Sequence, residues 1–256
     1  MARVNQSILK ALEILEILSG AERGMRLKEL AEQASYPPST THRLVSSLVE
    51  GNYVEQDPHT GHYYLGTKIL SLQAEAIRGR HIGRSALPHL LRLKQQANGT
   101  INLGVLSGNG IVYLESLVPD TMFSFYVPPG SRAPIHCTAM GKLLLAYQPA
   151  QVQEATLSSL ELRRYTDRTI ASIATLQAEL AEIAKMGYAV DDEEYVRGVR
   201  CVAAPVRDHT AQVVAAVSNT AVADELPPER IKVVAALLGQ AGLDISASLG
   251  FTGGAA

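Results

Sequence analysis

The sequence predicts an α+β protein: an amino-terminal winged helix-turn-helix, a linker helix, and a larger carboxyl-terminal domain built on a mainly antiparallel sheet. Three observations carry this expectation. Three amphipathic segments before Gly51 are followed by two short strand-like runs, Tyr36-Pro37-Pro38 separates the second segment from the third, and beyond residue 84 short strands and helices alternate. At 256 residues the chain exceeds the usual size of one domain.

In residues 7–19, Ile8, Leu9, Leu12, Leu15 and Leu18 recur at three- and four-residue steps, the pattern of a helix with one buried face, and Asn5 or Ser7 can cap it. Gly20 and Gly24 punctuate its end, and Leu27, Leu30 and Ala31 give a second, short helix. Ser35-Tyr36-Pro37-Pro38 must be a turn, because proline has no N–H to donate and pushes the preceding residue out of the α region. A third helix opens at Pro38 or Ser39, buries Leu44, Val45, Leu48 and Val49, and ends at Gly51-Asn52. Residues 53–56 and 62–65 read as strands of a hairpin joined through Asp57-Pro58-His59-Thr60-Gly61. This order is a winged helix-turn-helix over residues 1–66.

Residues 67–83 fit a helical linker, with Gly79 and Gly83 bracketing a break, and the second domain is expected over 84–256. It opens with a helix over 86–97 and continues with a hairpin of 102–106 and 110–118. A third strand over 122–127, helices over 141–146, 171–186 and 228–249, and strands over 201–207 and 213–218 complete it.

Composition excludes several classes. With 46% hydrophobic and 19% charged residues the chain is globular rather than disordered. No apolar run approaches the roughly 18 residues of a membrane span and the start is no signal peptide, so a cytoplasmic protein without a membrane partner is expected. A net charge of −2 argues against a protein that coats nucleic acid indiscriminately, while the split of +1 in residues 1–84 against −3 beyond still allows a local basic surface. Cys137 and Cys201 fit neither a disulfide framework nor zinc spacing. Gly141-Lys142 fails as a phosphate loop, with His136 where the first glycine belongs and Leu143 where Ser or Thr should bind magnesium. No metal or cofactor is therefore expected. His136 and Cys137, adjacent on an extended segment, point to opposite sides and cannot act as base and nucleophile.

The outer face of the third helix carries Ser39, Thr40, Thr41, His42, Arg43, Ser46 and Ser47, with no acidic residue before Glu50. Hydroxyls can donate to phosphates, Arg43 can pair with guanine or hold a phosphate, and the absence of carboxylates avoids repulsion of duplex DNA. The hairpin adds His59, His62 and Tyr64. The same residues also suit simple capping and intrahelical contacts, and trihelical modules serve as protein-interaction adaptors too.

In the second domain, Thr138 can cap the following helix, so that N–H groups of Ala139, Met140 and Gly141 converge with the positive end of its dipole and bind a carboxylate. The plainer reading makes Thr138 only a cap and Lys142 a solvated charge. In Asp191-Asp192-Glu193-Glu194, normally a solvated turn, one carboxylate next to a buried strand can turn inward and accept from a ligand hydroxyl. Alternation puts Ser218 and Thr220 on one strand face. A small-molecule-transforming enzyme with Cys201 or Cys137 as nucleophile is the alternative function.

Five blocks in order resemble the isocitrate lyase regulator (IclR) family of bacterial transcription factors. They are Ser7-Ile-Leu-Lys-Ala-Leu-Glu-Ile-Leu, Pro38-Ser-Thr-Thr-His-Arg43-Leu, Tyr64-Leu-Gly66, Arg132-Ala-Pro-Ile-His136-Cys-Thr-Ala-Met-Gly141-Lys142, and Asp191-Asp-Glu-Glu-Tyr-Val-Arg-Gly198-Val-Arg-Cys201-Val-Ala-Ala-Pro205-Val. The resemblance implies a regulator that reads double-stranded operator DNA and an effector domain of profilin- or GAF-like topology that binds a small carboxylate; activators occur in the family, and a repressor relieved by its ligand is expected here because the recognition module shows no activation surface. It implies homodimers paired through the amino-terminal region, often doubled to homotetramers. On matching positions, Ala139 and Met140 resemble the family's carboxylate cradle, and Asp191, Cys201, Ser218 and Thr220 its polar pocket residues. Met140 is bulkier than the Gly or Ser common there, and Ser218-Asn219-Thr220 replaces a common Ser-x-Ser.

Overall fold

The computed structural model describes residues 5–72, 81–119 and 125–253. The chain divides into two compact units, Met1–Gly79 and Arg80–Ala256.

In the first unit, α1 (Gln6–Ser19) begins where Asn5 Oδ1 accepts the Ser7 N–H at 3.0 Å. The Glu29 carboxylate accepts the Arg26 N–H at 2.7 Å at the start of α2 (Leu27–Gln33). After a turn in which Ser35 takes a left-handed φ of 55°, α3 (Pro38–Glu50) starts on a proline, whose missing N–H costs nothing at a helix N-terminus. Strands β1 (Val54–Gln56) and β2 (Tyr63–Leu65) form the antiparallel wing, and Met25 bridges to Tyr63. Ile14, Leu18, Leu30, Leu44, Val45, Val54 and Tyr63 make the core. Gly24 has a left-handed φ of 63°, and a Cβ there would stand 2.6 Å from the Tyr64 ring. Residues 68–72 are helical. The remainder of the expected linker up to residue 80 lies outside the described residues.

The second unit opens with α4 (His81–Gln96), which runs through Gly83 and Pro88. Of the break expected between Gly79 and Gly83, the part up to residue 80 lies outside the described residues; from His81 the helix runs on through Gly83 because Ala86, Leu90 and Leu93 are buried against the sheet, which outweighs the roughly 1 kcal/mol that one glycine costs a helix. Then follow β3 (Thr100–Ser107), β4 (Gly110–Leu117), β5 (Arg132–Pro134), α5 (Ala139–Ala146), α6 (Ala150–Ser159), α7 (Ile173–Met186), β6 (Ala189–Asp192), β7 (Val199–Arg207), β8 (Val213–Val222) and α8 (Pro228–Ser248). The strands form one antiparallel sheet in the order β5-β4-β3-β8-β7-β6. One face packs on α4 and α8, the other on α5 and α7.

Three sequence expectations change here. Of the strand expected over 122–127, residues 122–124 lie outside the described residues, and over 125–127 no ladder forms: the N–Hs of Phe125 and Val127 go to the side-chain hydroxyls of Thr100 and Ser116, at 3.2 and 3.3 Å. Arg132–Pro134 pairs with β4 in its place. Helix α6 and strand β6 were not anticipated, the latter because its Asp191-Asp192 end reads as a solvated turn. Finally, length and composition would let α8 cross a bilayer, with a mean hydropathy of 1.3, yet its Val234, Ala235, Leu238, Ala241 and Ile245 are buried in the domain core.

Helix α8 meets β7 at backbone distance, since a Cβ on Gly242 would lie 2.4 Å from the Pro205 carbonyl oxygen, whereas one on Gly239 would meet nothing within 4 Å. Gly242→Ala should therefore lose about 1–3 kcal/mol through overpacking, while Gly239→Ala gains up to about 1 kcal/mol from helix propensity. Urea unfolding of the two variants checks this pair of opposite signs.

Candidate functional site

Helical spacing decides which residues of α3 face outward. Ser39, His42, Arg43 and Ser46, at steps of three and four, are exposed on one face, and Thr40 is half-buried. Thr41 is fully buried and its hydroxyl donates to the Pro37 carbonyl at 3.3 Å. It is a correction to the expected surface set: it lies on the face that packs with Leu44 and Val45. Ser47 donates to the Arg43 carbonyl at 3.0 Å, so its hydroxyl proton is used within the helix.

At the wing tip, Asp57 Oδ1 accepts the N–Hs of His59 and Thr60 at 2.7 and 3.1 Å, and these bonds hold its carboxyl below the usual range. His59 is exposed; His62 is half-buried, with Nδ1 lacking a hydrogen-bond partner. Tyr64 lies over Gly24 and keeps 36% of its surface exposed.

The second unit contains a cavity of about 190 Å³. The sheet register explains its polar end. Asp191 pairs with Cys201, and Cys201 with Thr220, so residues from β6, β7 and β8 form one cross-strand row, and directly opposed residues share a face. Ser218, two residues from Thr220, joins them. At the other end α5 begins: Thr138 Oγ1 accepts the Gly141 N–H at 3.1 Å, while Ala139 and Met140, whose N–Hs no intrahelical carbonyl can serve, line the cavity. Gly141 is corrected out of the expected cradle, because its N–H is spent on the cap. Tyr113, Tyr195, Val196, Val199 and residues 125–127 supply mostly apolar walls that sequence reasoning missed. Alternation along β4 and β7 is the signal that could have found Tyr113 and Val199.

Asp191 is 3% exposed, and its Oδ1 accepts the N–Hs of Glu194 and Tyr195 at 2.8 and 3.4 Å. Burial, reinforced by the Glu194 carboxylate, pushes its carboxyl up to about 7, against the opposing pull of the Glu194 N–H and Lys142. Behind it stands a residue whose solvated reading was wrong: Lys142 is buried, contacts Glu194 and lies 3.1 Å from Glu179. Burial works against its charge, but the two carboxylates more than offset that and raise it. Cys201 Sγ lies 3.3 Å from Thr220 Oγ1; Asn102 donates to that same oxygen at 3.2 Å, and Ser116 to Asn102 at 2.8 Å. Burial pushes both the Cys201 and Cys137 thiols up, the opposite of what a nucleophile needs. Among the described residues, no group of three or more His, Cys, Asp or Glu side chains is arranged to hold a metal.

Three helices with a tight turn and a wing, followed by a separate α+β unit, define a helix-turn-helix transcriptional regulator. The model of the IclR helix-turn-helix domain matches residues 7–58, and that of the bacterial transcriptional regulator IclR C-terminal domain matches residues 74–247. The HTH-type transcriptional regulator XynR of Escherichia coli is 32% identical over 96% of this chain and 98% of its own. KdgR of the same organism is 33% identical over 96% of this chain and 93% of its own. Among solved structures, an IclR homolog complexed with 4-hydroxybenzoate from Microbacterium hydrocarbonoxydans aligns with a TM-score of 0.78 and 25% identity over 95% of this chain and 99% of that one. The chain belongs to the IclR family of bacterial transcriptional regulators; it is not an enzyme.

The Asp191 shift has a sign that can be checked. Its carboxyl sits above the ordinary 3.8, so the folded chain holds a proton that the unfolded chain releases, and its contribution to stability declines as pH rises from about 4 to about 7. Asp191→Asn should make this decline shallower and raise Tm at pH 8, which calorimetric melting from pH 5 to 8 measures.

Proposed function

We propose that this chain is a sequence-specific repressor of a catabolic operon, released by a small organic acid bound in the cavity of the second unit. The observation that carries the effector half is the cavity's two ends: free N–Hs of Ala139 and Met140 on one side and the Asp191–Cys201–Thr220 row with Ser218 on the other. The first end suits a carboxylate, the second a hydroxyl or hydrated carbonyl. The structural neighbour crystallised with 4-hydroxybenzoate, a carboxylate with a hydroxyl at its far end, supports the same chemistry. A cavity of about 190 Å³ suits an acid of few carbons or a single ring.

For DNA, Ser39, His42, Arg43 and Ser46 form the reading face of α3, with Thr40 at its edge and His59, His62 and Tyr64 on the wing. A homodimer places two such helices in successive major grooves of a pseudo-palindromic operator, and dimers double to tetramers. Effector binding changes the spacing of the two readers. A ligand with equal affinity for both arrangements would shift nothing, so the cavity must differ between them.

In a gel-shift with the intergenic DNA upstream of its own gene, the protein should outcompete random DNA and lose affinity steeply with salt. Arg43→Ala should weaken binding and lower the salt slope by about one if Arg43 holds a phosphate. Equal retention of promoter and random fragments overturns the DNA half. Thermal-shift screening with glycolate, pyruvate, 4-hydroxybenzoate and sugar acids should find an acid that raises Tm by binding the folded state, and that acid should release the promoter fragment. An acid that stabilises the protein while leaving the gel-shift unchanged counts against release.

A further inference from the structure

Across the second unit, the charges around the cavity do not balance. Asp191 faces the cavity from β6, with both backbone N–H bonds on Oδ1. The groups around it are Glu194 and Tyr195 in the following turn, Lys142 from α5 with Cys137 just before that helix, Cys201 from β7 and Tyr113 from β4. Lys142 is the one cation among them, and it is already committed: it touches Glu194 and lies 3.1 Å from Glu179 on α7, whose side chain is 37% exposed. Cys201, Cys137 and Tyr113 are all held in their neutral forms by burial. Asp191 thus has two backbone N–Hs but no cation of its own, and Glu194 is a like charge beside it.

An arriving carboxylate adds another negative charge to the same small volume. The N-terminus of α5 offsets about half of one charge. A second anion in the same water-poor cavity disfavours the ionised form of a carboxyl group there and raises its proton affinity. Of the two carboxyl groups, the ligand's sits at the helix N-terminus with two open N–Hs, whereas Asp191 lies at the far wall with Glu194 beside it.

We propose that the cavity takes up its acid together with one proton, which Asp191 carries, so that Asp191 meets the ligand as a hydrogen-bond donor and effector recognition is coupled to pH. This rests on the carboxylate reading of the cavity given above. Coupling is reciprocal: whatever raises the proton affinity of Asp191 on binding also makes the acid bind more tightly as pH falls. It also sets specificity, since a dicarboxylate would bring a second anion to the Asp191 end and demand a further proton. In the free protein Asp191 is poised at about 7, so the coupling falls in the physiological range.

Isothermal titration of the full-length protein with the best acid from the screen above, in phosphate and in Tris, gives the protons taken up per ligand. The expected result is uptake approaching one proton at pH 8 and near zero at pH 6, with Kd rising by up to about tenfold per pH unit above pH 7. Asp191→Asn should bind with a Kd independent of pH and no uptake. The wild-type measurement decides even if that variant does not fold. Binding at pH 8 with no proton uptake overturns the proposal and leaves the carboxylate cavity standing; uptake that persists in Asp191→Asn overturns the assignment to Asp191. Absence of binding by every acid at pH 6 overturns the cavity reading and this proposal together.

Discussion

A buried ammonium organises the second unit. Lys142 stands in the first turn of α5, one residue after a glycine that has no room for a side chain: a Cβ on Gly141 would be 2.5 Å from the Ile135 carbonyl oxygen. Removing that ammonium from water is tolerable only because Glu194 and Glu179 meet it, and taking either away would leave an unmatched buried charge. The contact joins three elements at one point: the start of α5, the turn after β6, and α7. Glu194 in turn gives its backbone N–H to Asp191, so the ion pair and the cavity wall are one assembly. The loop before α7 locks onto the same turn, with Thr166 and Thr169 donating to the carbonyls of Glu193 and Glu194 at 2.7 Å. What faces the cavity is therefore determined by what is satisfied behind it.

The first unit depends on nothing of this kind. Among its described residues the core is apolar, and the helices are set by caps and a proline start that act within a few residues of themselves. Its outward face is a consequence of the helical period. The period separates Ser39, His42, Arg43 and Ser46 from Thr41, whose place one turn before Leu44 and Val45 puts it on the inner side and not on the outer face expected for it. Its hydroxyl is satisfied by the Pro37 carbonyl, the ordinary fate of a buried threonine in a first turn.

This difference explains how much of each unit is legible in its sequence. The three helices, the Pro37-Pro38 turn and the wing carry local signals and form where periodicity and turn chemistry put them, but of the apolar run expected to be buried in α1 Ile8, Leu9 and Leu12 are exposed, and the core is reached by Ile14 and Leu18. In the second unit, alternation placed Ser218 and Thr220 on one face, and an inward-turning carboxylate was foreseen in the acidic run. The failures have a common origin. Residues 125–127 satisfy two of their N–Hs through hydroxyls of distant strands, α4 continues through Gly83 because its far side is buried, and β6 is hidden within a charge run. Each outcome is set by partners remote in the chain, which a local window does not contain.

Sequence alone determined the class of each unit, the outward Ser39, His42, Arg43 and Ser46 of α3 and the shared strand face of Ser218 and Thr220, because helical period, strand alternation and proline chemistry are properties of neighbouring residues. Only the tertiary structure decided that Asp191, Cys201 and Thr220 share a row, that Gly141 spends its N–H on a cap, and that Lys142 is interior. Register across three strands and the matching of buried charges are settled by groups up to dozens of residues apart, whose proximity exists only once the sheet has closed and water has left.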